Sequence, residues 1–323
     1  MKIIGLHGGH DAAYAILENG LPTKHNELER FNREKGCKGD TLKLFLENEN
    51  LKDIKYVTTN TTGKWKQYFK YTPQSFLNNF PNSKLYVVNH HQCHAANAFY
   101  TSPFKDALIV TIDGGGTDYK NGKEAYWEDI DTYLNNEGII TSTTFWYGEN
   151  TQINPLQMID RGNLNIGLYW DICTYNIFGL NRNPVKRGEE GTVMGMAAYG
   201  NPDKYLKHFS NLGNAKLSKN WGPYQRDYLK KEAEKSEKNK FDIAASLQKE
   251  TEKVIKNLID PYIKKYNPKN ICLSGGVSLN CVMTGKMLEW YPNLNIFCAA
   301  FSCSTSACSI DKNTLLPAGT KCL

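Results

Sequence analysis

One layout occurs twice along this chain of 323 residues and constrains its fold more than any other feature. In each copy a short apolar strand runs into a glycine-rich turn, and an Asn-Gly dipeptide, which favours a tight turn, closes the unit. The first copy consists of strand 2–6, turn 7–11, strand 12–17 and the turn Asn19-Gly20. The second copy consists of strand 107–112, turn 114–116 and the turn Asn121-Gly122. The chain is therefore predicted to contain two lobes built on one plan.

This arrangement resembles the actin-like ATPase and sugar-kinase architecture, a bilobal, RNase H-like α/β fold with a ligand cleft between its two lobes. With 40% hydrophobic and 22% charged residues, the chain can bury the core that such a fold requires. We divide it into a first lobe at 1–104, a second lobe at 105–297 and a divergent or truncated tail at 298–323. A resemblance at the level of the fold does not by itself identify a reaction.

Composition argues against several classes of protein. The net charge of +6 is spread along the chain, and its densest run, 230–240, alternates in sign, so no nucleic-acid surface is indicated. No apolar stretch approaches the roughly 20 residues that a membrane-spanning helix needs. The nine cysteines include no CxxC pair, which argues against a disulfide framework or a zinc ribbon. We therefore expect a soluble, cytoplasmic protein that binds neither nucleic acid nor membrane.

The stretch 84–118 carries the strongest indication of a chemical site. Its first apolar strand is followed by a helix that is predicted to begin after Asn89 and to end before Pro103. His90 and His94 are four residues apart on this helix, so both imidazoles are expected to project from one face.

Asp113 follows the next buried strand and precedes three glycines, whose backbone amides are left bare for a ligand. Two imidazoles and one carboxylate form a donor set that suits Fe(II) or Zn(II) with open coordination positions. The alternative is a pair of histidines satisfied within the core and an aspartate that caps a turn. Because the carboxylate lies at a glycine turn, we favour a metal site formed by His90, His94 and Asp113.

A second glycine turn lies further along the chain. Within residues 274–280, Gly275 and Gly276 stand between a predicted strand and the N-terminus of a helix. This arrangement suits a phosphate or a nucleoside, because the free amides and the helix dipole both point outward. A lone Gly-Gly pair is a weak indication, and its position in the second lobe strengthens it.

Two other segments are predicted to be structural. An amphipathic helix at 243–259 packs against the core, and Pro261 lies just beyond its expected end. The segment 27–40 is dense in charge and is most simply a solvated loop. The alternative for this segment is an anion-binding role, in which a basic residue such as Lys35 faces the cleft.

Taken together, an ordered series of segments resembles the amino-terminal, TsaD-like domain of the NodU/TobZ-type O-carbamoyltransferases. The matching segments cover about residues 1–297 and are 6–13, 27–35, 89–96, 102–104, 111–116, 191–200, 243–248 and 273–285. The resemblance implies transfer of a carbamoyl group from carbamoyl-adenylate, which is derived from ATP, to a hydroxyl of a sugar-like or small-molecule acceptor.

The resemblance also implies roles for individual residues. His90, His94 and Asp113 would bind a divalent metal, iron in the best-known members, with zinc as the alternative. Asp11 and Lys35 would lie at the substrate and carbamoyl end of the site. Carbamoyl-adenylate would be held by the two glycine turns, through Asp113, Gly114, Gly115, Gly275, Gly276 and Asn280.

The implied reaction needs a base that removes the proton from the acceptor hydroxyl. His10 is our candidate, because it lies beside Asp11 at the first glycine turn and an unperturbed imidazole titrates near neutrality. The alternative is that His10 is an ordinary turn residue.

The chain departs from the family pattern at three places. Gly36 stands where the family has a histidine, and Thr284 stands where it usually has an asparagine. After residue 297 the family has an aspartate that completes the metal shell, whereas this chain continues with a run of serine and cysteine. Asp311 is the nearest carboxylate in that run.

Two functions remain open on the sequence. The first is a transfer domain that receives carbamoyl-adenylate from a separate adenylating protein or from a domain outside this chain. The second is an inactive remnant or a nucleotide-binding subunit that keeps the fold without complete catalysis. The histidine and aspartate set favours the first, and the divergent tail favours the second. A sugar kinase is disfavoured, because kinases of this fold use a carboxylate base and Mg²⁺ and need no HxxxH pair.

Overall fold

The computed structural model describes residues 1–9, 11–49, 54–60, 78–118, 139–180, 189–209 and 223–299, which form two five-stranded sheets. The first sheet consists of β1 (Lys2–His7), β2 (Ala13–Glu18), β3 (Leu21–Glu27), β4 (Ile54–Asn60) and β5 (Lys84–Val88). The second sheet consists of β6 (Asp106–Asp118), β7 (Ile139–Glu149), β8 (Gln152–Asp160), β9 (Asn270–Ser274) and β10 (Asn295–Cys298).

Helices lie between these strands. The α-helices are α1 (Glu29–Asn32), α2 (Thr41–Asn48), α3 (His90–Thr101), α4 (Ile166–Ile172), α5 (Glu190–Ala197), α6 (Pro223–Lys235), α7 (Glu237–Tyr266) and α8 (Cys281–Trp290). A π-helical turn, Cys173–Ile177, extends α4, and short 3-10 helices occur at Leu206–His208 and Gly276–Leu279. Across the described residues we find no helix with both the length and the apolar character needed to cross a membrane.

Both sheets have the same strand order. The first sheet is ordered β3-β2-β1-β4-β5 and the second β8-β7-β6-β9-β10. In each, the first three strands of the unit form an antiparallel meander. The central strand then pairs in parallel with the next strand, which in turn pairs in parallel with the last one. This duplicated α/β topology confirms the predicted actin-like ATPase and sugar-kinase fold.

Residues 107–112 of strand β6 are buried on both faces, which explains why this part of the strand is almost entirely apolar. Alternate residues of a strand point to opposite faces. Leu108 and Val110 pack in one cluster with Leu247 of α7. On the other face Ile109 packs in a cluster with small and aromatic residues of α3, namely Ala95, Ala98 and Phe99. Helix α3 precedes residue 104, in the range assigned to the first lobe, yet it packs against the second sheet.

The close packing of α3 fixes the histidines that it carries. A methyl group on Gly148 of β7 would lie 2.8 Å from the ring of Phe99, so glycine is needed there. Phe99 is 1% exposed. Burying a side chain of this size stabilises the fold by roughly 1.5–3 kcal/mol. The helix therefore cannot shift along the sheet without losing a large part of this energy.

The prediction that Pro261 lies beyond the end of its helix is wrong. Helix α7 contains Pro261 and continues to Tyr266, where Asn267 ends it in a left-handed conformation with φ 42°. Proline inside a helix forfeits one backbone hydrogen bond. The last turns offset this loss by packing, since the ring of Tyr262 stacks on Phe145 of β7 with centroids 3.8 Å apart.

Candidate metal centre

Helix α3 and strand β6 bring the predicted ligands together. The Nε2 of His90 lies 3.0 Å from the Oδ2 of Asp113 and 3.1 Å from the Nε2 of His94. The Nε2 of His94 lies 3.8 Å from the same carboxylate oxygen. The two histidines are 6% and 2% exposed, and the side chain of Asp113 is 13% exposed. Three donor atoms thus converge in a largely buried place.

The separations of these atoms suit a shared ion. Ligands about 2.0–2.2 Å from one transition metal are about 2.8–3.6 Å from each other in octahedral or tetrahedral geometry. The two separations that involve His90 fall in this range, and the one between His94 and Asp113 is slightly longer. Imidazole nitrogen and carboxylate oxygen are donors for iron and zinc. Among the described residues, His90, His94 and Asp113 are the histidine, cysteine and acidic side chains that form such a group. The residues present therefore fit a first-row divalent metal.

The protonation state of the cluster also suits a cation. Burial lowers the pKa of His90 to about 4, and the attraction of Asp113 offsets this only in part. For Asp113, burial alone raises the pKa, but hydrogen bonds to His90 and His94 outweigh it and hold the pKa well below its ordinary value. At neutral pH His90 is neutral and Asp113 is ionised, the forms in which both bind a metal.

The second oxygen of Asp113 joins this cluster to the other predicted glycine turn. The backbone amide of Gly276 donates a hydrogen bond to Oδ1 of Asp113 over 3.1 Å. Gly275 has φ +91°, and a methyl group there would lie 2.3 Å from the carbonyl oxygen of Ile112. The turn after β9 can approach β6 only because it lacks side chains. Two turns that are far apart in sequence therefore meet at one carboxylate.

Asn165 and Gly167 fix the turn after Asp113, and neither residue was identified from the sequence. The side chain of Asn165 caps α4 through Leu168 and donates to the carbonyl of Gly114 over 3.3 Å. A methyl on Gly167 would lie 2.5 Å from the Cα of Gly114. Asn165 is a typical helix N-cap residue, so its capping role could have been predicted, but its contact with Gly114 could not.

Gly116 and Arg161 were also missed. A methyl on Gly116 would lie 2.1 Å from the Cδ2 of His90, so the absence of a side chain leaves room for that imidazole. Arg161 lies next to Gly115, where a methyl would be 3.2 Å from its Cδ. No motif in the sequence marks Arg161, because it directly follows β8 and only the pairing of β8, β7 and β6 brings it to the turn.

Asn280 has a role inside the fold. Its Oδ1 accepts a hydrogen bond from the amide of Met283 and so caps α8. Its amide nitrogen donates to Oε1 of Gln248 over 2.7 Å. Thr284, one turn further on, donates to the carbonyl of Cys281. These bonds hold the start of α8 next to α7 and thereby support the turn at Gly276.

The first-sheet candidates form a separate group. Asp11 has φ 57°, a left-handed conformation that is uncommon outside glycine. A methyl on Gly36 would lie 3.6 Å from its Oδ1, so the segment that contains Lys35 returns to the turn after β1. Lys35 itself is exposed. The group of His90, His94 and Asp113 lies at the second sheet, and Asp11 and Lys35 lie at the first.

Three sequence hypotheses concern residues that the structure leaves out. His10, the candidate base, lies outside the described residues, as does Asp311. The tail is described only through Ala299. The charged segment 27–40 contains α1, and Arg30 of that helix pairs with Glu27 over 3.1 Å, in keeping with the solvated role that we favoured.

Comparison with known protein families gives an independent view of the chain. The family model described as Carbamoyltransferase N-terminus matches residues 64–307, a range that contains the whole metal cluster. The nodulation protein NolO of Bradyrhizobium diazoefficiens is 28% identical over 210 residues, which are 62% of this chain and 33% of NolO. An uncharacterized protein of Synechocystis is 25% identical over 342 residues, covering 87% of this chain and 51% of that protein.

The chain thus spans about half or less of the length of these relatives. Among solved structures, component A of (R)-2-hydroxyglutaryl-CoA dehydratase from Acidaminococcus fermentans is similar, with a TM-score of 0.55. The match covers 96% of each chain at 14% identity. At that identity the similarity concerns the fold alone, and it agrees with the duplicated strand order.

Proposed function

Because the chain belongs to the carbamoyltransferase family, we propose that it transfers a carbamoyl group from carbamoyl-adenylate to a hydroxyl of a sugar-like or small-molecule acceptor. One observation supports this proposal above the others. Asp113 contacts His90 through one oxygen and the amide of Gly276 through the other. A cation site and a turn suited to a phosphate or nucleoside are thereby adjacent, as transfer from an adenylate requires.

The reaction forms one bond and breaks one. The acceptor oxygen attacks the carbamoyl carbon, the bond from that carbon to the phosphate oxygen breaks, and its electron pair leaves with AMP. The acceptor proton passes to a base, for which His10 beside Asp11 is our candidate. A divalent metal held by His90, His94 and Asp113, iron or zinc, would act as a Lewis acid and polarise the carbamoyl group.

The residues of the chain supply charges and backbone amides that suit a cation and a phosphate. The ionised Asp113 provides the negative charge that attracts a cation, and the neutral His90 has a nitrogen lone pair that can bind one. Backbone amides at the turns of Gly114, Gly115 and Gly276 are suited to the negative charge of a phosphate. We assign Asp11 and Lys35 to the substrate and carbamoyl end of the site, and the left-handed conformation of Asp11 shapes the turn to which it belongs.

Carbamoyl-adenylate has to be supplied to such a site. We propose that a separate adenylating protein or domain makes it from carbamoyl phosphate and ATP. The second candidate function is an inactive remnant or a nucleotide-binding subunit that keeps the fold without transfer activity. The bonds of Asn280 to Gln248 and to the amide of Met283 are compatible with a remnant, because they give that side chain a role in the fold without any ligand.

A transfer assay tests the proposal. The metal-loaded chain is given radiolabelled carbamoyl-adenylate, formed in situ by an adenylating enzyme, together with a panel of sugar and nucleoside alcohols. We expect label in an acceptor with the wild type and with Thr101→Ala, an exposed position at the end of the same helix. We expect none with the His90→Ala, His94→Ala double variant. Label transfer by that double variant would refute the metal role, and binding of AMP without any transfer would support the second function.

A further inference from the structure

The turn after Asp113 is an open bulge in the second sheet. The register of β6 against β7 shifts between Ile112, which is opposite Thr143, and Gly116, which is opposite Thr141. Three residues of β6 therefore face a single residue of β7, and Gly115 among them has φ +139°. Such a bulge takes backbone amides out of the ladder and makes them available to a ligand.

Arg161 lies beside this bulge. It directly follows β8, and its amide donates to the carbonyl of Ile140 over 2.7 Å, which anchors it at the end of the sheet. A methyl on Gly115 would lie 3.2 Å from its Cδ and 3.5 Å from its Nε. The side chain thus passes next to Gly115, which has no side chain of its own to block it.

In the part of the chain that the structure describes, no carboxylate lies within ion-pair distance of the Arg161 guanidinium. Several other cations of the fold are paired, as Arg30 is with Glu27 and Lys204 with the buried Asp242. Arg161 is only partly exposed. A partly buried, unpaired guanidinium beside bare amides is a typical arrangement for an oxyanion.

We propose that Arg161 binds the phosphate of the adenylate and carries part of its charge as AMP leaves. This inference rests on the proposed function, and it adds to the site a residue that no sequence motif marks. A planar guanidinium can donate two parallel hydrogen bonds to a phosphate, whereas the turn amides offer single ones. When the bond to the carbamoyl carbon breaks, the phosphate gains a negative charge, which Arg161 is placed to stabilise.

Binding of AMP and of adenosine, measured by calorimetry on the full chain, tests this role. AMP carries the phosphate and adenosine lacks it, so their ratio isolates phosphate recognition. We expect Arg161→Gln to weaken AMP binding at least tenfold, about 1.4 kcal/mol, and to leave adenosine binding unchanged. Arg161→Lys should retain part of the affinity, because it keeps the charge without the bidentate geometry. The advantage of AMP over adenosine should also shrink at high salt.

Lys231→Gln is the matched control, since it removes one positive charge from an exposed position on α6. It should bind AMP as the wild type does. Unchanged adenosine binding by Arg161→Gln shows that the variant is folded. Equal AMP affinity in Arg161→Gln and the wild type would overturn the inference and leave the proposed function standing. Failure of the wild type to bind either compound would overturn both.

Discussion

The Oδ2 of Asp113 lies 3.0 Å from the Nε2 of His90, although 23 residues separate the two in the chain. Asp113 follows the apolar run of strand β6, and His90 is the first residue of α3, the helix that covers that strand. Their meeting depends on the packing of α3 against β6, through Ala95 and Ala98 on the helix. The site is therefore a property of the second sheet together with α3, and the following predictions probe it.

Removing both histidines should abolish tight metal binding. We expect the His90→Ala, His94→Ala variant to lose at least a hundredfold in affinity for Fe(II) or Zn(II), about 2.8 kcal/mol. The reason is that one carboxylate alone cannot replace three converging donors. Competition with a chelator gives the affinity. His25→Gln, which removes a histidine from β3 of the first sheet, should behave as the wild type, and a double variant with native affinity would contradict the assignment.

The Asp113→Asn variant tests the charge of the carboxylate separately from its shape. The amide keeps an oxygen that can accept from Gly276 but loses the negative charge, so metal affinity should fall at least tenfold with a small loss of stability. Asp113→Ala should also leave the Gly276 amide without its acceptor and cost a further 1–3 kcal/mol or so in unfolding free energy. Urea unfolding of the metal-free variants measures the difference. Equal stability of the two would show that the bond to Gly276 contributes nothing.

The buried His90 should make the metal-free protein sensitive to mild acid. Its pKa is lowered from 6.5 to about 4, so between these values the unfolded chain binds a proton that the folded chain does not. Its stabilising contribution is full above pH 6.5 and is lost as the pH falls toward 4. From pH 7.5 to 5.5 the wild type should lose about 1.4 kcal/mol more than His90→Gln in unfolding free energy. Parallel pH profiles would count against a neutral, buried His90.

Gly116 should tolerate no side chain. A methyl there would lie 2.1 Å from the Cδ2 of His90, so Gly116→Ala should displace the imidazole, weaken metal binding at least tenfold and lower the unfolding free energy. Gly114→Ala is the comparison, because a methyl at that position meets nothing within 4 Å. It should keep most of the metal affinity. If the two variants bound metal equally, the steric argument would fail.

The tail should not contribute to the metal site. The three converging donors all come from residues 90–113, so deletion of residues 304–323 should leave iron or zinc affinity nearly unchanged. The segment is rich in serine and cysteine, and Asp311 is its only acidic residue. A tenfold or larger loss, about 1.4 kcal/mol, would show that Asp311 or a cysteine of the tail is a ligand.

Local sequence rules predicted an element correctly where the sequence contains both its hydrophobic pattern and the residues that mark its ends. Helix α3 begins after Asn89 and ends before Pro103 as predicted, although the side chain of Asn89 makes no cap bond. Strands β6 and β9 follow from their apolar runs. The convergence of His90, His94 and Asp113 also agrees with the spacing argument. Two histidines four residues apart share one face of a helix, and a helix that packs on the strand can bring that face close to Asp113.

Other features depend on distant contacts that no local pattern reveals. Strand β3 was missed because its residues are exposed at one edge of the first sheet and contain Pro22 and Lys24 in place of an alternating pattern. Its pairing with β2 holds it in place. Arg161 illustrates the same limit within the site. Its neighbour Gly115 is 46 positions earlier in the chain, and only the sheet brings them together.

The two bonds of Asp113, to His90 and to Gly276, have a thermodynamic consequence. A cation that draws one oxygen toward itself weakens or reorients the other as an acceptor, and a ligand that engages the Gly276 amide does the reverse. Occupancy of the two places is then energetically linked, and linkage is reciprocal by necessity. We expect AMP to change the affinity for the metal by the same factor by which the metal changes the affinity for AMP. A dissociation constant measured for either ligand therefore holds only at the stated concentration of the other.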